Sequence, residues 1–273
     1  MSNTEPKSQL QRIEEYFGAS AHEWRDLYAA PRRVNDLVLA NRRRLAVQKI
    51  REHAASRARI LDAGCGAGLV ALDLVEHGFF VHGVDIARSM LDLAEERFRA
   101  AGVAEDGYAF TRADVTRAGL SPASFGGVVA LGFLEYQDDE LVALGQLNEL
   151  LAPGGILVVS GPTERRLANY LGLAGSVREW LLRLGVAEAR VGPVRIGLHR
   201  YGVGRFRTLL EATGFELIEC RGHGFVEFEG IGRRLSYGGE LALHQAFSSL
   251  AQVLPIHRFG NDMVAVARKR HTL

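Results

Sequence analysis

The run Ile60-Leu61-Asp62-Ala63-Gly64-Cys65-Gly66-Ala67-Gly68, succeeded by helical sequence and then by a second apolar run ending in Asp85, constrains this chain more than any other feature. Small residues let a backbone turn sharply and approach a ligand closely, and the helix after the turn offers unpaired N–H groups to polar or anionic ligand atoms. An acid at the end of the next strand accepts hydrogen bonds from both hydroxyls of a ribose. Strand, glycine turn, helix, strand and acid in that order begin a parallel α/β sheet with a nucleoside-bearing ligand at its edge.

The glycine spacing narrows the ligand. A dinucleotide fingerprint, G-x-G-x-x-G, requires glycine at position 69, where this chain has Leu69. The pattern present is Asp62-x-Gly64-x-Gly66-x-Gly68, and it resembles motif I of the class I S-adenosylmethionine (SAM) dependent methyltransferases. A glycine cluster alone is more often a plain turn, so the resemblance rests on the ordered motifs downstream of it. Phe79 to Ile86 reads as a second buried strand, Arg112-Ala113-Asp114-Val115 as a third strand end, and Phe125 to Leu131 as a fourth strand delivering Leu131-Gly132-Phe133-Leu134-Glu135-Tyr136. Leu151-Ala152-Pro153-Gly154-Gly155 is similar to the family's turn before strand five, Ile156 to Ser160.

Over about positions 58 to 162, the resemblance implies a Rossmann-like seven-stranded sheet, mostly parallel, with its last strand antiparallel and helices on both faces. It implies that the backbone at Gly64, Cys65, Gly66 and Gly68 holds the methionine part of SAM and that Asp62 helps to bind its amino group. Asp85 then binds the ribose, Ile86 flanks the adenine, and Asp114 with the Val115 N–H reads the base. Met90, Leu131 and Tyr136 complete the implied cofactor contacts. The implied activity is methyl transfer to O, N or C of a small, apolar or aromatic metabolite. Two other readings stay open: a SAM-binding protein with a different reaction, and a nucleotide-dependent oxidoreductase.

Composition removes several classes. A chain of 273 residues with 47% hydrophobic content can bury a sizeable core. The formal net charge of +1 at pH 7 gives no field to gather nucleic acid. Cys65 and Cys220 fit a reducing compartment, and the polar start and the lack of a long apolar stretch point to the cytoplasm.

The pattern divides the chain into four regions: a helical lid segment, 1–57; the cofactor core, 58–162; a substrate cap insertion, 163–199; and the end of the core, 200–273, with an excursion over 222–257. In the first, Tyr16, Phe17, Trp24, Leu27 and Tyr28 recur at helical spacing. That is most simply an apolar docking face, but it is similar to the lid of quinone-pathway and magnesium-protoporphyrin methyltransferases, which makes Tyr16 and Tyr28 lid contacts. The arginines at 32, 33, 42, 43 and 44 read as a solvated helix face. Leu167 to Leu184 reads as one or two amphipathic helices of the cap, and the excursion reads as a pocket wall or a homodimer contact.

An acceptor with a titratable proton benefits from a base, worth roughly two to four orders of magnitude. The candidates are Glu135, after strand four, and His199, in Leu198-His199-Arg200-Tyr201. Asp138, Asp139 and Glu140 read as the start of a helix rather than as a metal site.

Overall fold

Apolar runs rich in Val, Ile, Leu and Phe recur along the chain, most of them separated by helical sequence, and such runs are stable only when both faces of the sheet are covered. The computed structural model describes residues 8–29, 34–164, 190–191, 194–195, 199–225 and 236–270, with the backbone alone at 20–29, 190–191, 194–195 and 255. Two helices come first, α1 (Gln9–Ala29) and α2 (Val34–His53). Then β1 (Arg59–Ala63), α3 (Leu69–Glu76), β2 (Phe80–Asp85), α4 (Arg88–Ala100), β3 (Tyr108–Arg112), β4 (Phe125–Ala130), α5 (Glu140–Leu150) and β5 (Leu151–Pro162) alternate. A two-residue ribbon, β6 (Arg190–Val191) with β7 (Val194–Arg195), precedes α6 (Val203–Ala212), β8 (Phe215–His223), α7 (Tyr237–Val253) and β9 (Asp262–Lys269).

The seven long strands form one sheet in the order β3-β2-β1-β4-β5-β9-β8. Strands β1 to β5 pair in parallel, and β9 runs antiparallel between β5 and β8. One face packs Leu144, Leu147, Phe206 and Leu210 of α5 and α6 against the strands; the other packs Ala46, Val47 and Ile50 of α2, Leu74 of α3 and Phe98 of α4. Each such fully buried leucine or phenylalanine contributes roughly 1.5–3 kcal/mol of hydrophobic stabilisation.

The chain runs outward from β1 to β3 and then returns to the other side of β1 at β4. That reversal opens a crevice at the carboxyl ends of β1 and β4, where open α/β sheets bind ligands. Around it α1 is pinned by side chains. Arg112 pairs with Glu14 at 2.6 Å, Ser89 Oγ donates to the Gly18 carbonyl at 3.2 Å, and Gln9 Nε2 donates to the Tyr136 carbonyl at 2.7 Å.

One local detail differs from the sequence expectation. Leu151 to Gly155 is extended and belongs to β5, because Phe125 pairs with Leu151 before a register shift brings Gly127 opposite Ile156. The cap, 163–199, lies almost wholly outside the described residues, as do 226–235 of the excursion. The described part of that excursion buries Phe225 against Leu243, Phe247 and Ala251 of α7. Among the described residues no helix is long and apolar enough to cross a membrane.

Candidate active site

Three consecutive strand ends build one half of the crevice. After β1, Gly64 and Cys65 donate their N–H groups to the Val84 carbonyl of β2 at 2.8 and 3.1 Å, which ties the loop to its neighbour. Gly64, Gly66 and Gly68 all adopt positive φ, where a side chain is strained. Their reasons differ. A Cβ at Gly66 meets nothing within 4 Å, so the loop there is an open cradle. A Cβ at Gly68 would lie 2.8 Å from that of Ala94, so Gly68 lets α3 pack on α4 and does not line the cavity.

Asp85, at the end of β2, accepts the Gly66 N–H on Oδ2 and the Ala87 N–H on Oδ1, both at 2.8 Å. These bonds fix its carboxylate at the rim of the cradle, although burial still raises its pKa above the usual carboxylate range. Asp62 is 2% exposed, and its Oδ2 has no hydrogen-bond partner among the described residues. Burial first and the Asp85 charge second push its carboxyl up to about 7. A buried acceptor of this kind needs a donor, and the cavity is where one can come from. Asp114 Oδ1 accepts the Thr116 N–H and hydroxyl, holding the acid in place after β3.

The cavity, about 370 Å³, is walled on this side by Asp62, Gly64, Cys65, Gly66, Asp85, Ile86, Met90, Asp114 and Val115, all anticipated from sequence. Leu131, Glu135 and Tyr136 line it as well. Tyr16 does not; its ring packs edge-on against Phe17 at 5.1 Å, and Phe17 lines the cavity, edge-on to Tyr136 at 5.5 Å. Helical spacing identifies the face of α1 but not which of two adjacent aromatics points inward. The side chain of Tyr28 lies outside the described residues.

The other half of the cavity comes from remote parts of the chain: Leu10 and Ile13 of α1, Asn35, Leu39, Arg42 and Arg43 of α2, and Asn261 and Asp262 at the start of β9. The expectation of a solvated arginine face fails at two positions. Arg42 pairs with Asp262 at 3.0 Å and Arg43 with Asp73 at 3.0 Å, because α2 packs this face against the sheet and α3. Tertiary partners 220 residues apart leave no local signal, so neither Arg42 nor Asp262 was identifiable from sequence.

Glu135 is 5% exposed, its Oε2 has no hydrogen-bond partner among the described residues, and burial pushes its carboxyl up to about 7 despite the lowering effect of Arg42. His199 sits elsewhere. Its N–H donates to the Glu135 carbonyl at 3.1 Å, its Nε2 contacts the Gln137 carbonyl at 2.9 Å, and its Nδ1 lies 3.6 Å from Glu140. The ring thus fastens the loop after β4 to α5 and does not line the cavity. Asp139 caps α5 by accepting the Leu141 and Val142 N–H groups, and Glu140 pairs with Arg205.

A glycine cradle with acids at two successive strand ends, at the switch point of the β3-β2-β1-β4-β5-β9-β8 sheet, makes a Rossmann-like site suited to a nucleoside-bearing ligand. Residues 60–155 match the methyltransferase domain family. The ubiquinone biosynthesis O-methyltransferase of Paracidovorax citrulli is 26% identical over 232 residues, covering 84% of this chain and 90% of that protein. Two solved structures share the fold. The magnesium protoporphyrin IX methyltransferase of Synechocystis, with S-adenosylhomocysteine bound, has 15% identity and a TM-score of 0.63, covering 96% of this chain and all of that one. The 1,6-didemethyltoxoflavin-N1-methyltransferase of Burkholderia thailandensis has 18% identity and a TM-score of 0.57, covering 99% and 94%. The domain match and these relatives support a class I SAM-dependent methyltransferase that uses SAM as its cofactor, on the fold the two solved structures share. The open cradle at Gly66, the unpartnered Oδ2 of Asp62 and the fixed carboxylate of Asp85 suit that molecule.

Proposed function

We propose that this enzyme methylates a small acceptor with an apolar body, seated beside the cofactor in the compartment walled by Leu10, Ile13, Leu39 and Phe133. The observation that carries the reading is that one continuous cavity joins the glycine cradle to this compartment. Its apolar walls suit a small hydrophobic or aromatic molecule, and the few polar groups among them fix its orientation. The net charge of +1 disfavours a polynucleotide acceptor. The relatives named for ubiquinone biosynthesis, magnesium protoporphyrin IX and 1,6-didemethyltoxoflavin agree with a small one. Two free cysteines fit work in a reducing cytoplasm.

In this reading the cofactor's amino group takes the open Oδ2 of Asp62, its ribose takes Asp85, and its base lies between Ile86, Met90, Asp114 and Val115. Bound SAM supplies a methyl group on a sulfonium, already activated toward a nucleophile. The protein's part is therefore to place the acceptor and exclude water, and orientation of that kind contributes about 7–11 kcal/mol in well-aligned systems. Phe17 and Tyr136, in edge contact with each other, both line the cavity.

The test is a Leu39→Trp variant, which fills the acceptor compartment and leaves the cradle untouched. With SAM and a panel of hydroxylated aromatic compounds, wild type should release S-adenosylhomocysteine and the variant should lose at least tenfold in turnover while binding S-adenosylhomocysteine as before. Undiminished turnover by the variant would place the acceptor elsewhere.

A further inference from the structure

The acceptor half contains a group of charges that the cofactor does not use. Arg42 of α2 reaches across to Asp262 at the start of β9, 3.0 Å away, and both side chains are about 15% exposed. Gly132, φ +62°, lies under this pair: a Cβ there would be 3.5 Å from Arg42 Nη2 and 3.7 Å from Glu135 Oε1. The guanidinium and the Glu135 carboxyl therefore flank one point, with the Gly132 backbone between them. The Gly132 N–H donates to the fully buried Ser160 hydroxyl at 3.1 Å, and the Glu135 carbonyl accepts from His199. The loop that carries Glu135 is held on both sides.

Glu135 lines the cavity, and its buried Oε2 has no hydrogen-bond partner among the described residues. The groups facing its carboxyl are Arg42 from α2, Asp262 from β9, the adjoining Tyr136 and, more distantly, Tyr201 ahead of α6. Beyond Asp262, burial holds His223 neutral, with its pKa down to about 4, so it adds no positive charge near neutral pH. Among the described residues, one cation, Arg42, thus faces the two carboxylates of Asp262 and Glu135. Asp262 engages Arg42 directly, and Glu135 is left able to take up a proton.

We propose that Glu135 Oε2 receives the O–H or N–H hydrogen of the acceptor, and that Arg42, fixed by Asp262, is the positioning residue that sets when Glu135 can do so. The inference rests on the proposed function and deepens it by assigning the chemistry of the acceptor: a neutral hydrogen-bond donor, such as a phenol or an aromatic N–H. As the acceptor's O or N gains carbon it loses its proton to Glu135, so that the positive charge brought in by the sulfonium leaves as that proton. Anionic acceptors are disfavoured because the free acceptor in the wall is a carboxyl and the nearby cation is already engaged.

Three variants, Glu135→Gln, Arg42→Met and Arg42→Lys, test it with two readouts. In the first, carbon-13 signals of labelled glutamate are followed against pH, with the Glu135 carboxyl identified by its loss in Glu135→Gln. Wild type should titrate near about 7, Arg42→Met should move the midpoint upward, and Arg42→Lys should restore part of the shift. In the second, S-adenosylhomocysteine release is followed with catechol and 4-methylcatechol as neutral donors and 3,4-dihydroxybenzoate as their anionic counterpart. The neutral compounds should turn over at least ten times faster, and Glu135→Gln should lower kcat by about 10²–10⁴-fold with unchanged S-adenosylhomocysteine affinity.

A Glu135 midpoint in the ordinary carboxylate range, or one indifferent to Arg42→Met, overturns the proposal whether or not any panel compound is turned over, as does full activity in Glu135→Gln. If wild type fails to bind S-adenosylhomocysteine at all, the proposed function falls, and this inference with it. Binding with an ordinary Glu135 removes this inference alone.

Discussion

The two halves of the cavity are built on opposite principles. The cofactor half is local and made largely of backbone: three strand ends within about fifty residues, a loop tied to its neighbouring strand by main-chain hydrogen bonds, and carboxylates anchored by N–H groups. The half proposed for the acceptor is assembled from α1, α2, the loop after β4 and the start of β9, and it is held by side chains such as Arg42 with Asp262 and Gln9 with the Tyr136 carbonyl. A backbone cradle serves one fixed ligand. A side-chain compartment on separate elements can be changed one residue at a time without disturbing the sheet, and that is how one fold serves many acceptors.

The largest effect that sharpens this contrast is expected at Asp85. Asp85→Ala removes the proposed acceptor for ribose hydroxyls and the anchor of Gly66 and Ala87 together, with charge-assisted bonds worth about 1.5–3 kcal/mol each. Affinity for S-adenosylhomocysteine, measured by calorimetry, should fall at least about 100-fold while the circular dichroism spectrum keeps its α/β form. If the melting temperature drops and affinity stays within threefold, Asp85 is only a structural anchor of α4.

Next in size is a stability effect in the acceptor half. The Glu135 carboxyl is pushed up to about 7 by burial, against an ordinary value of about 4.3. Between those values the folded state keeps a proton that the unfolded chain has released. Wild-type stability therefore falls as pH rises through this window, and the loss is complete above about pH 7. Glutamine does not titrate. Glu135→Gln should then gain on wild type by up to about 3 kcal/mol at pH 8 and by much less at pH 4.5, read as unfolding free energy in urea. Equal differences at both pH values would mean that Glu135 is not a buried, proton-holding carboxyl.

The sequence was most legible where the structure is local. The cradle at Gly64 and Gly66 and the acids Asp62, Asp85 and Asp114 sit within short strand–turn–helix units whose spacing is fixed by backbone geometry. Asp139 as the cap of α5 was legible for the same reason. Arg42 was not, since a charged residue on an amphipathic helix carries no mark of a partner 220 residues away. Phe17 against Tyr16 was missed because neighbouring residues differ by one side-chain direction, which the packing of α1 on Tyr136 decides. Gly68 was legible as a glycine of the motif but not in its role, which depends on Ala94 of α4.

The smallest effect is expected at His199, whose ring contacts a backbone carbonyl and Glu140 outside the cavity. His199→Ala should cost about 1 kcal/mol of stability, the scale of one lost hydrogen bond, and should leave kcat within about threefold at pH 7. A loss of 100-fold or more with an unchanged melting temperature would return His199 to the role of base and would weaken the division between the two halves.

The most direct measurement of that division is a calorimetric titration of wild type and Glu135→Gln with S-adenosylhomocysteine and, separately, with NAD. The expected result is one-site binding of S-adenosylhomocysteine at micromolar strength or better, equal within threefold in the two proteins, and no heat from NAD. Binding of NAD, or a loss of S-adenosylhomocysteine affinity in Glu135→Gln as large as that in Asp85→Ala, would contradict the claim that cofactor and acceptor occupy separately built halves of one cavity.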